Sequence, residues 1–141
     1  MADLSAFPIT RQYPAQHPDR LQLYSLPTPN GVKVSILLEE LGLAYEPHLV
    51  DIGQNETWTP DYLSLNPNGK IPVLELEDGT CLWESNAILN FLADGSDLLP
   101  SEPRLRTQVL QWQFFEQYSH EPYIAVARFI QTLGLPANRI V

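Results

Sequence analysis

A single cysteine, Cys81, in 141 residues removes three chemistries at once, because one thiol builds no internal disulfide, no paired redox motif and no cysteine zinc cluster. That usage fits a reducing, cytoplasmic setting. Basic side chains are scarce as well: 8 Lys and Arg stand against 17 Asp and Glu, a formal net charge of -9. Phosphate backbones and anionic membrane surfaces are bound through clustered cations, so neither nucleic acid nor membrane is expected as a partner. Long apolar runs are missing. The densest, residues 32–43, is broken by Lys33, Ser35, Glu39 and Glu40, and spanning a bilayer takes roughly 20 apolar residues. The opening MADLSAFPITRQYPAQHPD is interrupted by Pro8, Pro14 and Pro18 and has no apolar secretory core, so export is not expected. His17, His48 and His120 are scattered without metal-ligand spacing, and no metal site is expected. What remains is 44% hydrophobic with 10% aromatics, enough to build the core of one domain, or of one domain and part of a second.

Residues 1–19 carry three prolines and no apolar period, which predicts an extended, poorly packed arm. Leu21-Gln22-Leu23-Tyr24 alternates as a strand does. Thr28 then stands as helix N-cap with Pro29 at the first helical position, and Val34, Leu37, Leu38 and Leu41 recur at helical spacing. Gly42 as a left-handed stop sets Leu38 against Leu43 in a Schellman ending. A second strand over about residues 44–50 makes a right-handed crossover with parallel strands. Thr59-Pro60 repeats the cap for a short helix over residues 61–65, ended by Asn66-Pro67-Asn68-Gly69. Residues 71–76 and 81–83 flank Asp78-Gly79 as an antiparallel hairpin, and a helix follows over residues 85–93. The order βαβ, α, ββ, α predicts an α/β domain over residues 20–95, a small mixed sheet with helices on both faces in the thioredoxin-like arrangement. From residue 96 the pattern is helical only. Leu105, Val109 and Trp112 lie on one stripe and Leu110, Phe114 and Tyr118 on a neighbouring one, and a helix apolar on two sides requires partners on both. Residues 96–141 are therefore expected to be the start of an all-helical domain that is incomplete.

Five segments in order resemble the N-terminal domain of cytosolic glutathione transferases: Leu23-Tyr24, TPNG-x-K over residues 28–33, LEELGL over 38–43, NPNGKIP over 66–72 and WESNAI over 83–88. The pattern is most similar to the bacterial nu class and the fungal nitrogen-regulator group, which share the TPNG or APNG turn. The resemblance implies glutathione as substrate or bound thiol, a transferase or a disulfide or peroxide reductase of detoxifying type, and a homodimer. It also implies a complete helical bundle after the linker, so the chain is expected to be a fragment or to depend on a partner. Rival readings are a glutathione-binding regulatory protein and an inactive truncated fragment.

Candidate site residues follow on physical grounds and from that resemblance. Pro72 cannot donate to a ladder and is expected at an edge or turn, with or without a cis bond; Lys70-Ile71-Pro72 is either a rigid turn alone or, by resemblance, a cis-proline segment whose Ile71 backbone pairs with the cysteinyl unit of glutathione. Ser85 starts a helix whose free N–H groups favour an anion. Read plainly, it is a helix cap; by resemblance, Ser85 and the local N–H groups hold the γ-glutamyl carboxylate and Glu84 faces the ammonium. A thiol of pKa about 8.5 needs donors near its sulfur to ionise at neutral pH, and the turn at Thr28 and Asn30 offers a hydroxyl and an amide at a helix N-terminus. Thr28 and Asn30 match the family's sulfur-contacting positions, with Tyr24, the approximate match to the tyrosine of the alpha and pi classes, as the competitor. Thr57 stands where the nu class carries an amide that touches glutathione. Cys81 is expected to be a structural thiol, and Trp58, Trp83 and Trp112 are expected to pack, with Trp58 in the loop that by resemblance borders glutathione. Tyr118, His120 and Arg128 fall in the segment that would line an electrophile pocket.

Overall fold

The computed structural model describes residues 8–133. They fall into two compact units that divide between Asp94 and Gly95. In the first, β1 (Leu21–Ser25) leads into α1 (Pro29–Glu40), β2 (Tyr45–Leu49), the short α2 (Pro60–Leu65), β3 (Val73–Glu75), β4 (Cys81–Trp83) and α3 (Ser85–Ala93). The strands form one mixed sheet in the order β2-β1-β3-β4. β1 and β2 are parallel, as a helical crossover requires, while β3 runs antiparallel to both β1 and β4.

Local chemistry accounts for most of these boundaries. Thr28 caps α1 by accepting from the Gly31 N–H at 3.3 Å, and Thr59 caps α2 by accepting from the Tyr62 N–H at 3.2 Å; in each case a proline follows at the position where a missing N–H is harmless. α1 ends in the Schellman motif, with the Leu43 N–H on the Leu38 carbonyl and the Gly42 N–H on the Glu39 carbonyl, both at 3.0 Å. The hairpin turns at Asp78, whose carboxylate accepts from the Thr80 N–H at 2.9 Å.

Strand alternation sends side chains to opposite faces. Leu23 and Leu74 meet Val34 and Leu38 of α1 and Ile88 of α3 on one face; Tyr24 and Val73 meet Tyr62 and Leu65 of α2 on the other. The second face also carries a polar row through every strand, because Glu46 pairs with Gln22, Gln22 with Glu75 and Glu75 with Cys81 in register. Gln22 and Glu75 are fully buried.

Residues 8–20, the described part of the chain ahead of β1, cover that row, which corrects the expected poorly packed arm there; residues 1–7 of that arm lie outside the described residues. Ile9 is fully buried in the cluster with Tyr24 and Tyr62. The Gln16 and His17 N–H groups donate to the Glu46 carboxylate at 2.9 and 2.6 Å, and Gln22 Nε2 donates to the His17 and Arg20 carbonyls, both at 2.9 Å. Pro8 opens a single 3-10 turn, Pro8–Arg11, Pro14 and Pro18 deny a longer helix, and the irregular chain that follows has backbone donors and acceptors to spare, which a sheet face bearing a carboxylate and an amide can use.

In the second unit, α4 (Pro103–Phe115) is capped by the Glu102 carboxylate on the Leu105 N–H at 2.8 Å, passes through one π-helical turn at Glu116–His120 and continues as α5 (Glu121–Leu133). Residues 134–141, including the end of the expected helical domain, lie outside the described residues. Trp112 and Phe115 meet edge to face at 5.7 Å. Trp112, Phe114 and Tyr118 are 70%, 72% and 84% exposed.

Candidate active site

α1 and α3 pack on the same sheet face and bring their N-termini together. Ser85, buried at the start of α3, donates its hydroxyl to Asn30 Oδ1 in the first turn of α1 at 3.3 Å. Further along the same two helices, Lys33 Nζ donates to Asn86 Oδ1 at 3.0 Å. The two halves of the expected site, sulfur activation at the Thr28–Asn30 turn and carboxylate binding at Glu84-Ser85, are thus joined by a hydrogen bond spanning 55 residues of sequence. The positive ends of two helix dipoles meet there, an arrangement that favours an anion.

Gly31 explains how α1 comes so close to the end of β1. A Cβ on it would sit 2.2 Å from the Leu26 carbonyl oxygen and 2.3 Å from Ser25 Oγ, so only glycine admits this approach. Thr28 Oγ1 uses a lone pair to cap the helix, which leaves the hydroxyl proton as a donor. At the other helix the cap is Glu84, held at φ 70°, a region that non-glycine residues occupy rarely. Ser85 is the first helical residue and not the cap, and its hydroxyl is spent on Asn30.

Lys70-Ile71-Pro72 lies at the mouth of β3, with a cis bond between Ile71 and Pro72. β3 is a central strand, so of the two expected placements, edge or turn, Pro72 takes the second, in the bend ahead of the first paired residue, Val73. Proline is tolerated there because no ladder bond is required of it. Two side chains that sequence reasoning passed over hold this segment. Tyr62 donates its hydroxyl and Asn66 its Nδ2 to the Lys70 carbonyl, at 2.9 and 2.8 Å. Asn66 was visible as part of a turn signature; nothing in the sequence linked Tyr62 to residue 70. Thr57 is buried, while the neighbouring Trp58 ring is 62% exposed and lies against Gly69. Trp83, at the end of the outer strand β4, is likewise exposed, so none of the three tryptophans is a core residue.

Tyr24 is withdrawn from any ligand. Its ring is 1% exposed, stacked on His48 at 4.6 Å and edge-on to Tyr13, and its hydroxyl donates to Glu75 Oε2 at 2.8 Å. Burial, with the Glu75 charge beside it, raises the Tyr24 pKa far above the ordinary phenol value. Burial likewise raises Glu75, against the opposing pull of the Tyr24 hydrogen bond, and Glu75 Oε1 has no hydrogen-bond partner. Burial pushes the Cys81 thiol up to about 11, which suits a structural thiol and not a nucleophile. Among the described residues no group of three or more His, Cys, Asp or Glu could hold a metal ion, and no helix is long and apolar enough to cross a membrane.

Residues 19–94 match the family model of the glutathione S-transferase N-terminal domain. A crystal structure of a glutathione S-transferase from Pseudomonas fluorescens Pf-5 is 68% identical with a TM-score of 0.81, over 84% of this chain and 60% of that one. A glutathione transferase from Burkholderia graminis, solved with two glutathione molecules bound per subunit, is 56% identical with a TM-score of 0.75, over 83% of this chain and 51% of that one. The disulfide-bond oxidoreductase YfcG of Escherichia coli is 41% identical over 103 residues, 68% of this chain and 48% of that protein. The chain spans about half the length of the curated relatives it matches. With the mixed thioredoxin-like sheet, the paired helix N-termini and the cis-proline segment in hand, the chain belongs to the glutathione S-transferase family.

Proposed function

We propose that this chain binds glutathione and activates its thiol at the Thr28–Asn30 turn, as a nu-like glutathione transferase with disulfide-bond or peroxide reductase capacity. In this reading Ile71 offers its backbone to the cysteinyl unit, with Lys70 and Pro72 shaping the approach and Thr57 in the bordering loop. Ser85 and the N–H groups that open α3 take the γ-glutamyl carboxylate, and Glu84 faces the ammonium. The Thr28 hydroxyl and the Asn30 amide donate to the sulfur, lowering the cost of its negative charge as an oxyanion hole does. The bound thiolate then attacks an electrophilic carbon, forming the thioether as the leaving group departs with the electron pair of its bond to that carbon, or attacks one sulfur of a disulfide with release of the other as thiolate. The cytoplasmic setting and the homodimer implied by the resemblance belong to the same proposal.

The observation that carries it is the Ser85–Asn30 hydrogen bond at 3.3 Å, which sets an anchoring group and a thiol-activating group side by side. Assignment of the thiol to Thr28 and Asn30 in preference to Tyr24 is supported by the Tyr24 hydroxyl being committed to Glu75. Thermal unfolding with and without glutathione tests it. Ligand at a hundredfold excess over Kd stabilises the native state by about 2.7 kcal/mol, and an analogue with 4-aminobutyrate in place of the γ-glutamyl unit, lacking its carboxylate, should stabilise far less. Equal shifts from the two compounds would count against the anchoring role. Turnover of a small disulfide and of an aromatic electrophile, measured across glutathione concentrations, separates an enzyme from a binding protein.

A further inference from the structure

Resting on that reading, we infer that Ser85 is a positioning residue for thiol activation as well as an anchor: its hydroxyl orients the Asn30 amide so that the donor end, and not the acceptor end, faces the glutathione sulfur. A planar carboxamide carries an acceptor oxygen at one end and an NH2 donor at the other. Ser85 Oγ–H donates to the oxygen end, Oδ1, at 3.3 Å. With the oxygen held toward α3, rotation of the amide would lose that bond, and Nδ2 is the end directed away from Ser85. A thiolate is stabilised by a donor and repelled by a carbonyl oxygen, so which end faces it decides the sign of the Asn30 contribution.

Both partners are held firmly enough for such a choice to matter. Gly31 keeps the first turn of α1 against the Leu26 carbonyl, and the Lys33–Asn86 bond ties the same two helices together further along. Glu84, not Ser85, caps α3, so the Ser85 hydroxyl is not required by its own helix. The γ-glutamyl carboxylate reaches the N–H groups of the α3 terminus, which Ser85 can supply from its backbone whatever its side chain does.

The test uses the 141-residue chain and the ultraviolet absorbance of bound glutathione thiolate as a function of pH. Ser85→Ala should raise the apparent pKa of the bound thiol by about one unit, which lowers the thiolate fraction about tenfold at pH values below the parent's thiol pKa, as expected when a hydrogen bond to a charged group is lost. Turnover at saturating glutathione should fall by the same factor as the thiolate fraction at the assay pH, independently of any change in Kd, and Ser85→Thr, which keeps the hydroxyl, should restore both. In an Asn30→Ala background, Ser85→Ala should leave the thiol pKa where Asn30→Ala put it, because the group being oriented is gone. The Asn30 side-chain amide resonances give a readout independent of turnover: their shifts should move in Ser85→Ala and return in Ser85→Thr. A Ser85→Ala protein that binds glutathione more weakly with an unchanged thiol pKa would overturn the inference and leave only the anchor. Additive effects of the two substitutions on the pKa would overturn it too. A parent protein to which glutathione does not bind in calorimetry would remove the functional reading beneath it, a failure distinct from either of these.

Discussion

Tyr24→Phe separates a structural tyrosine from a thiol-activating one. The substitution removes a single oxygen and keeps the ring, so the stack on His48 at 4.6 Å and the edge contact with Tyr13 at 5.8 Å survive. What is lost is the 2.8 Å hydrogen bond to Glu75 Oε2. Glu75 is fully buried and its Oε1 already lacks a partner, so its carboxyl would have no hydrogen bond on either oxygen. Stripping a buried polar group in this way costs about 1–3 kcal/mol. At roughly 4–8 °C per kcal/mol for a domain near this size, the melting temperature should drop on the order of 5–20 °C. Circular dichroism melts measure that, and steady-state kinetics with glutathione and a small disulfide at a temperature where both proteins are folded measure the rest. Turnover should stay within about twofold, since the hydroxyl points into the sheet face opposite α1. A loss of turnover on the order of a hundredfold, the scale of a missing transition-state donor, with an unchanged melting temperature would refute the reasoning and return the thiol to Tyr24.

Glu75 also sets a pH dependence. Burial raises its folded pKa above the ordinary 4.5, so the native state holds the proton after the unfolded chain has released it, and stability falls as pH climbs from about 4.5 through the raised value. Glu75→Gln, which keeps an acceptor for Tyr24, should flatten that slope in urea unfolding across this window; an unchanged slope would mean Glu75 titrates normally. Ile9→Ala should cost about 2–4 kcal/mol because Ile9 is fully buried, and a loss under about 0.5 kcal/mol in denaturant titrations would show that the segment ahead of β1 is not part of the core. Tyr62→Phe combined with Asn66→Ala strips both donors from the Lys70 carbonyl; at about 1 kcal/mol for each bond, glutathione Kd should rise by up to about thirtyfold. An unaltered Kd in calorimetry would show that the Ile71 segment does not touch the tripeptide.

Nearly every element boundary was legible in the sequence because each is set within a few residues. Thr-Pro opens α1 and α2, Gly42 closes α1 and Asp78-Gly79 turns the hairpin, through hydrogen bonds that join residues two to five apart. The parallel pairing of β1 and β2 was legible for a similar reason, since a helix between two strands of one sheet leaves little other geometry. Where β3 sits was not, and its place between β1 and β4 decided between the edge and the turn that Pro72 allowed, in favour of the turn.

The segment ahead of β1 was misjudged because the period that reveals helices and strands is absent from an irregular chain that is nonetheless buried. Ile9 and the Gln16 and His17 N–H groups pack on a surface that exists only after the sheet has formed. The candidate site divides in the same way. Thr28, Asn30, Ile71, Glu84 and Ser85 were each visible within a local motif of helix start or proline turn. That Ser85 spends its hydroxyl on Asn30, that Glu84 takes the cap at φ 70°, that Tyr24 is committed to Glu75 and that Tyr62 holds the Lys70 carbonyl are products of tertiary structure. A side chain's periodicity tells which face it is on; its hydrogen-bond partner is decided by which distant strand or helix folding brings within 3 Å or so, and a local pattern carries no record of that.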